Sequence, residues 1–246
     1  MEKKDIIFGV WPIVEAIKSG KTIEKLLLKK GSYNSISEEL KEVIKEHNIT
    51  ISYVPIEKLN SLTRKNHQGV IAFISPIEYY EIEQIIPLVY EKGKVPFVLV
   101  LDRITDVRNF GAIVRTAECA NIDAIVIPNK EAAQINSDAM KSSAGALSIV
   151  PICKSTNLYN SVMYLKDSGL KVVSVTEKAI DSYTNVDYKE PLCLIFGSEE
   201  DGISSQLLKI SHNLVQIPIL GEIESLNVSV ASGVAIYEVV SQRLKK

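Results

Sequence analysis

The sequence predicts an α/β protein in two units, a small mixed one followed by a larger one built on an open, parallel sheet. From Val95 onward, apolar runs rich in Val, Ile and Leu recur with helical patterns between them, and uninterrupted apolar runs are what parallel strands need when helices cover both faces. The first 75 residues alternate shorter extended and helical patterns, as a small α/β unit does. A chain of 246 residues is also longer than the usual single domain.

Taken in order, the first unit (1–75) reads as a helix over 10–18, a strand over 23–28, a helix over 35–47 and strands over 49–54 and 70–74. Residues 76–94 hold Pro76, Pro87, Gly93, the Tyr79-Tyr80 pair and several acids. That composition predicts a linker, part of which fits a short helix. In the second unit (95–246), strands are expected at 95–101, 124–127, 149–153, 171–175, 192–196 and 214–219. Helical patterns at 111–120, 137–146, 158–166, 204–210 and 228–244 separate or follow them. The chain has no internal repeat and no low-complexity tract.

Hydrophobic residues at 46% and charged residues at 24% are an ordinary globular balance and exclude a disordered chain. Lys+Arg 28 against Asp+Glu 30 gives a net charge of −2, which argues against a protein held on nucleic acid by bulk charge. The excess is unevenly placed: residues 1–75 carry 12 basic and 9 acidic side chains (+3), leaving 16 against 21 (−5) for the remainder. A local basic face at the front is therefore expected. Cys119, Cys153 and Cys193 are odd in number and widely spaced, so they read as buried thiols rather than a disulfide framework. Three histidines without a C-x-x-C or H-x-x-x-H pattern predict no metal site. No stretch approaches the roughly 18 apolar residues of a membrane span and no signal peptide is apparent, so a soluble, cytoplasmic protein without membrane partners is expected.

In open parallel sheets, ligands collect at the carboxyl ends of the strands, which directs attention to three loops. Gly197-Ser-Glu-Glu-Asp-Gly202 joins an apolar strand to a helix. It has G-x-x-x-x-G spacing but Ile203-Ser204 where a phosphate-binding P-loop needs Lys-Ser/Thr, and its three consecutive acids would repel phosphate. The dinucleotide fingerprint G-x-G-x-x-G occurs nowhere, which weighs against nicotinamide enzymes. The loop suits a cationic or hydroxyl-rich ligand, or simply an acidic helix start with glycine turns. The second loop, 102–115, carries Arg103, Arg108 and Arg115 against Asp102 and Asp106. Asn109 or Asp106 can cap its helix. Arg115 needs an anion or a partner; taken alone it reads first as an ion pair with a nearby acid, and three arginines here shift the balance modestly toward phosphate. The third, 218–229, leads into a helix start crowded with Ser225, Asn227, Ser229, Ala231, Ser232 and Gly233. Small residues there permit close approach of a backbone or a flat ligand, and Ser225 and Asn227 are also good caps. No Gly-x-Ser-x-Gly elbow accompanies His67 or His212, so a serine hydrolase is excluded.

Together the three loops resemble the SpoU (TrmH-type) branch of the SPOUT RNA methyltransferases. The motifs are Asn109-Phe-Gly-Ala-Ile-Val-Arg115-Thr-Ala, then Leu194-Ile-Phe-Gly-Ser-Glu199-Glu-Asp-Gly202-Ile-Ser, then Gln216-Ile-Pro-Ile-Leu-Gly-Glu-Ile-Glu-Ser-Leu-Asn227-Val-Ser229-Val-Ala. The front unit, through Phe8-Gly-Val-Trp-Pro-Ile-Val-Glu-Ala-Ile and Asn66-His-Gln-Gly-Val-Ile-Ala, resembles the RNA-binding α/β domain of L7Ae kind that precedes many such domains. The resemblance implies a deep C-terminal trefoil knot, although topology rules alone disfavour one. It further implies an S-adenosylmethionine cofactor, a homodimer and methyl transfer to a ribose 2′-OH of structured RNA. Large-subunit (23S) rRNA is the favoured substrate; tRNA methylation and a non-catalytic RNA escort are the rivals. By residue, it implies that Gly197, Ile217 and Leu226 line the cofactor pocket with Asn227 and Ser229 beside them. Arg115 and Asn109 would face the ribose, Glu199 would organise the site, and Ser225 would assist.

Overall fold

In the computed structural model, which describes residues 6–47 and 49–245, the chain divides into two units between Glu78 and Tyr79, with Ile135–Ser137 grouped apart from the rest of the second. The first unit runs β1 (Ile6–Phe8), α1 (Val10–Lys18), β2 (Ile23–Lys29), α2 (Glu38–Glu46), β3 (Ile51–Val54), α3 (Ile56–Leu62) and β4 (Val70–Ile74). Its sheet has the order β1-β4-β2-β3, with β4 antiparallel to β1 and β2, and β3 parallel to β2. Successive strand residues face opposite ways, so Leu26 and Leu28 join Ile13, Ile17, Leu40 and Ile44 of α1 and α2 in one core. Leu27 and Ile71 face the other way, toward Leu59 of α3. That two-sided cover explains why Leu26-Leu27-Leu28 is apolar without alternation. Ser37 caps α2, its Oγ accepting from the Leu40 amide at 3.3 Å, so the helix starts later than the residue 35 expected.

The second unit comprises β5 (Tyr79–Tyr80), α4 (Ile82–Glu91), β6 (Phe97–Asp102), α5 (Val107–Cys119), β7 (Ala124–Pro128), α6 (Ser137–Ser142), β8 (Ile152–Ser155), α7 (Leu158–Asp167), β9 (Lys171–Val175), β10 (Asp181–Ser182), β11 (Leu192–Gly197), α8 (Ser205–Ile210), β12 (Asn213–Gln216) and α9 (Val228–Leu244). Its eight strands are ordered β10-β12-β9-β11-β6-β7-β8-β5, and each pairing is parallel. The six expected strands form its body. β5 and β10, two residues each, extend it at the edges and are too short to leave a periodic signal.

Several boundaries move for identifiable reasons. Residues 79–91, inside the expected linker, form β5 and α4, whose Ile82 and Ile86 are buried in the second unit's core. Pro87 lies within α4 and removes the amide that would bond the Glu83 carbonyl; the Tyr164 hydroxyl donates to that carbonyl instead, at 3.5 Å. The strand expected from 149 begins at Ile152, after Pro151, and Ile149 is 67% exposed. The helix expected to reach 146 stops at Ser142 because Ala144 and Gly145 take left-handed φ values of 50° and 89°. β12 ends before Pro218, which cannot donate to a ladder.

One core layer takes alternate strand residues, Val98 and Val100, Ala124 and Val126, Cys193 and Ile195, with α4, α7 and α8 supplying Ile86, Val162, Leu165 and Leu207. α9 packs on β11 and on α5. From β6 the chain proceeds to β7 and β8 on one side, whereas β11, inserted between β6 and β9, leads to β12 on the other. Adjacent parallel strands whose connections diverge leave a crevice at their carboxyl ends, and here Gly197 is in register with Asp102.

The expectation of three buried thiols is corrected at Cys119, which is exposed. It ends α5 on the side away from the buried Val114 and Ala117. Burial pushes the Cys153 thiol up to about 12 and raises Cys193 as well. Both thiols are therefore expected to resist alkylation at neutral pH until the protein unfolds. Mass spectrometry after brief iodoacetamide treatment checks this, and label on either one in the folded protein contradicts the packing.

Candidate functional site

The crevice is furnished by three segments that are distant in sequence. Asp106 caps α5, its carboxylate accepting from the amides of Arg108 at 2.9 Å and Asn109 at 2.8 Å. Because Asp106 is the cap, the Asn109 side chain is free to turn outward, and its Nδ2 donates to Glu199 Oε1 at 3.0 Å. Asn227 caps α9, its Oδ1 accepting from the Ser229 amide at 3.0 Å and the Ser229 hydroxyl at 2.5 Å. With Oδ1 committed to the helix end, Asn227 Nδ2 donates to Glu199 Oε1 at 2.7 Å and to Asn109 Oδ1 at 3.1 Å. A carboxylate only accepts, so Glu199 fixes the orientation of both amides.

The loop carrying Glu199 is held by its own backbone and by Arg103. Ser198 and Gly202 form an antiparallel bridge, the Gly202 amide donating to the Ser198 carbonyl at 3.0 Å. A Cβ on Gly197 would run into the Gly202 carbonyl group and the Ile203 amide, so only glycine fits. Arg103 has a left-handed φ of 58°, which is costly for a side chain of its size. Its guanidinium repays that cost by donating to Asp102 Oδ1, Asp201 Oδ2 and the Gly202 carbonyl, each at 3.1 Å. The hydrogen bond to Asp102 raises the Arg103 guanidinium above its ordinary value. Asp102, 4% exposed, also accepts from the Ser204 amide at 2.7 Å, tying the start of α8 to the end of β6. These residues border an open cleft of about 350 Å³ lined by Arg103, Asp106, Asn109, Ser198 and Glu199.

The remaining expected residues fall into two groups. Ile217, Ser225 and Leu226 line a smaller cavity of about 80 Å³ with Val175, Thr176 and Glu177. Arg115 is exposed on α5 and makes no hydrogen bond or ion pair among the described residues, so it joins neither cavity. Ser225 does not cap α9, which Asn227 does alone. The staple made by Arg103, Asp102 and Asp201 is not readable from the sequence; its only local signal is the Asp102-Arg103 pair at the end of an apolar strand. Among the described residues no cluster of three or more His, Cys, Asp or Glu has the geometry to hold a metal ion, and no helix is long and apolar enough to cross a membrane.

A parallel α/β sheet with polar side chains converging where its connections diverge defines a ligand-binding α/β protein, and comparison with known proteins makes the class specific. Residues 96–237 match the SpoU rRNA Methylase family, and residues 6–80 match the RNA 2′-O ribose methyltransferase substrate binding domain. The chain belongs to the SpoU methylase family. It is 33% identical over 242 residues, 98% of this chain and 97% of the relative, to YacO of Bacillus subtilis (strain 168), whose name places it in the TrmH family of tRNA/rRNA methyltransferases. Its fold is that of the AdoMet-bound rRNA methyltransferase from Sinorhizobium meliloti, with TM-score 0.63 and 22% identity, covering 98% of this chain and 88% of that one. The AdoMet complex of the SpoU methyltransferase AviRb from Streptomyces viridochromogenes is similar, with TM-score 0.62 and 22% identity, covering 98% and 91%.

Gly197→Ala is expected to force the 197–202 loop open and destabilise the protein by about 1–3 kcal/mol, the usual cost of overpacking. Gly221→Ala, where an added Cβ meets nothing within 4 Å, serves as the control. Thermal unfolding of the two variants checks this, and equal melting temperatures would contradict the tight approach.

Proposed function

We propose that the protein transfers the methyl group of S-adenosylmethionine to a ribose 2′-OH of large-subunit (23S) rRNA, acting in the cytoplasm as a homodimer. The observation that carries this is the Asn109–Glu199–Asn227 cluster at the sheet's switch point, with an uncommitted guanidinium, Arg115, on the same α5 helix, in a chain of the SpoU family. The AdoMet complexes of similarly folded proteins support the cofactor. A family-matched RNA substrate-binding unit ahead of the catalytic one supports a structured RNA substrate.

The residues present fit an adenosyl ligand. Val175, Ile217, Ile219 and Leu226 offer apolar contact for a flat base, and Thr176, Glu177 and Ser225 beside them offer polar contact for a hydroxyl-rich sugar. The glycine at 197 leaves the backbone without a side chain at the end of β11. A space of about 80 Å³ is smaller than a nucleoside, so binding one would require the 217–226 segment to shift. Gly197, Ile217 and Leu226 would hold the cofactor, with Asn227 and Ser229 next to it, and the segment after β11 would form the trefoil knot of the family. When bound, the cofactor supplies an electrophilic methyl group on a sulfonium.

The chain's own part is alignment and charge. Displacement at a methyl carbon requires donor and acceptor in line. Asn109 and Glu199, locked by Asn227, orient the ribose, and Ser225 assists. A guanidinium is not deprotonated in proteins, so Arg115 binds the neighbouring phosphate and stabilises negative charge developing on the 2′-oxygen. Leu220 at 98% exposure, Ile223 at 77%, Val230 at 51% and Tyr237 at 50% are apolar side chains left exposed along the 220–237 segment, and a second subunit would cover them.

Calorimetry is expected to detect S-adenosylmethionine binding, and labelled methyl groups are expected to appear in unmodified 23S rRNA within alkali-resistant dinucleotides. Label in tRNA alone, or in base-hydrolysed mononucleotides, overturns the substrate or the ribose assignment. Arg115→Ala is expected to keep cofactor binding and lower methyl transfer by about 10²–10³, the usual cost of removing a charge-stabilising group. Unaltered turnover by the folded variant refutes the role assigned to Arg115.

A further inference from the structure

The first unit has a face that the chemistry above does not use. Residues 6–14, 25–37 and 58–77 contain no Asp or Glu, and the fold brings parts of all three to one end of the four-stranded sheet. The Val10 amide donates to Gln68 Oε1 at 3.0 Å, the Gly9 amide to the Val70 carbonyl at 3.2 Å, and the Lys29 amide to the Gly69 carbonyl at 2.9 Å. Lys29, Lys30, Arg64 and Lys65 are all exposed there. Trp11, the chain's single tryptophan, follows Val10 in the chain and is 63% exposed. An exposed indole flanked by cations offers a free π-face to a flat, negatively charged ligand.

The platform is rigid. Gln68 and Gly69 both take left-handed φ values, 50° and 79°. His67, 7% exposed, braces them from beneath: its Nδ1 accepts from the Gly69 amide at 3.0 Å and its Nε2 faces Asn60 Oδ1 at 2.9 Å. The Lys65 ammonium lies 5.8 Å from the centre of the Phe8 ring. A preorganised aromatic surface flanked by cations matches a polyanion that presents flat rings.

We infer that this end of the first unit grips an unpaired stretch of the RNA substrate, with Trp11 stacked on an extruded or single-stranded base and Lys29, Lys30, Arg64 and Lys65 holding the phosphates on either side. The inference rests on the RNA methyltransferase function proposed above and adds which surface and which RNA feature are used. Bases within a duplex are already stacked on one another and show only their edges, whereas unpaired bases offer a free π-face. The cations alone would bind any RNA; the indole selects for unpaired segments.

Because Trp11 is the sole tryptophan, its emission reports the contact directly in the full-length protein. A short mixed-sequence single-stranded RNA is expected to quench that emission saturably, and the same strand annealed to its complement is not. Trp11→Ala is expected to weaken single-strand binding, measured by anisotropy of a labelled strand, by about fivefold to a hundredfold, the range of one stacked base. Trp11→Phe retains most of the affinity. Lys30→Ala and Arg64→Ala each lower the salt slope of log affinity by about 0.7, as loss of one phosphate contact from a single strand does. Equal quenching by single strand and duplex, or unchanged affinity in Trp11→Ala with an unchanged melting temperature, overturns the inference. If it fails while the wild-type protein still methylates RNA, the proposed function stands; if the protein neither binds S-adenosylmethionine nor methylates RNA, that function fails too.

Discussion

The site depends on the 197–202 loop doubling back so closely that residue 197 has no room for a side chain. Gly197 ends β11 in register with the end of β6, and from that point the backbone folds onto itself through the Ser198–Gly202 bridge. Once the loop is so confined, Glu199 has few directions open to it and meets the two asparagine side chains that cap-side geometry has turned its way. The sharp turn is unfavourable in isolation. It is held because Arg103, in a strained backbone conformation of its own, donates to Asp201, to the Gly202 carbonyl and to the buried Asp102. Strain at Arg103 and crowding at Gly197 are thus two ends of one arrangement that holds the 197–202 loop in place.

The same arrangement resolves an electrostatic difficulty. Glu199, Glu200 and Asp201 are three consecutive acids, and on the function proposed above an RNA phosphate would have to come near them. Arg103 engages Asp201 at 3.1 Å, and Glu199 is occupied on Oε1 by three N–H donors, from Asn109, Asn227 and the Val228 backbone, so only part of that negative charge faces outward. Arg115, with no protein partner among the described residues, keeps its full charge for an incoming anion. The division is economical: one arginine is consumed by the fold and another is left uncommitted.

Legibility from sequence followed the length scale of each feature. The strands of the second sheet were readable because burial on both faces demands unbroken apolar runs, as in Val98-Leu99-Val100-Leu101. β1, β5 and β10, at two or three residues, fall below any period. α4 was obscured by Pro87 and by flanking turn residues, although Ile82, Ile85, Ile86 and Val89 keep helical spacing. At the site, Asn109, Glu199 and Asn227 stood out because each lies in a compact motif at a loop. The Arg103 staple did not, since Asp201 and Gly202 lie 98 and 99 positions from Arg103, and the adjacent Asp102 alone does not reveal such a network. Which of Asp106 and Asn109 would cap α5 was equally open, because either side chain can reach the first amides. Asp106 wins as the residue just before the helix, and that outcome releases Asn109 for Glu199.

Charge is partitioned along the chain in a way that suits an enzyme acting on a large polyanion. With the first 75 residues at +3 and the remainder at −5, basic charge is concentrated in the front unit, where Lys29, Lys30, Arg64 and Lys65 are exposed. On the function proposed above, the rear unit, with its acidic loop, would attract RNA only through specific groups such as Arg115. Tight nonspecific binding at a catalytic centre would hold many wrong nucleotides in reach of the methyl donor, whereas a weakly attractive centre acts only on the ribose that correct docking delivers. Selectivity then comes from requiring both units to be satisfied at once. If each unit binds RNA with modest affinity, their covalent connection makes the second contact an intramolecular step at high effective concentration.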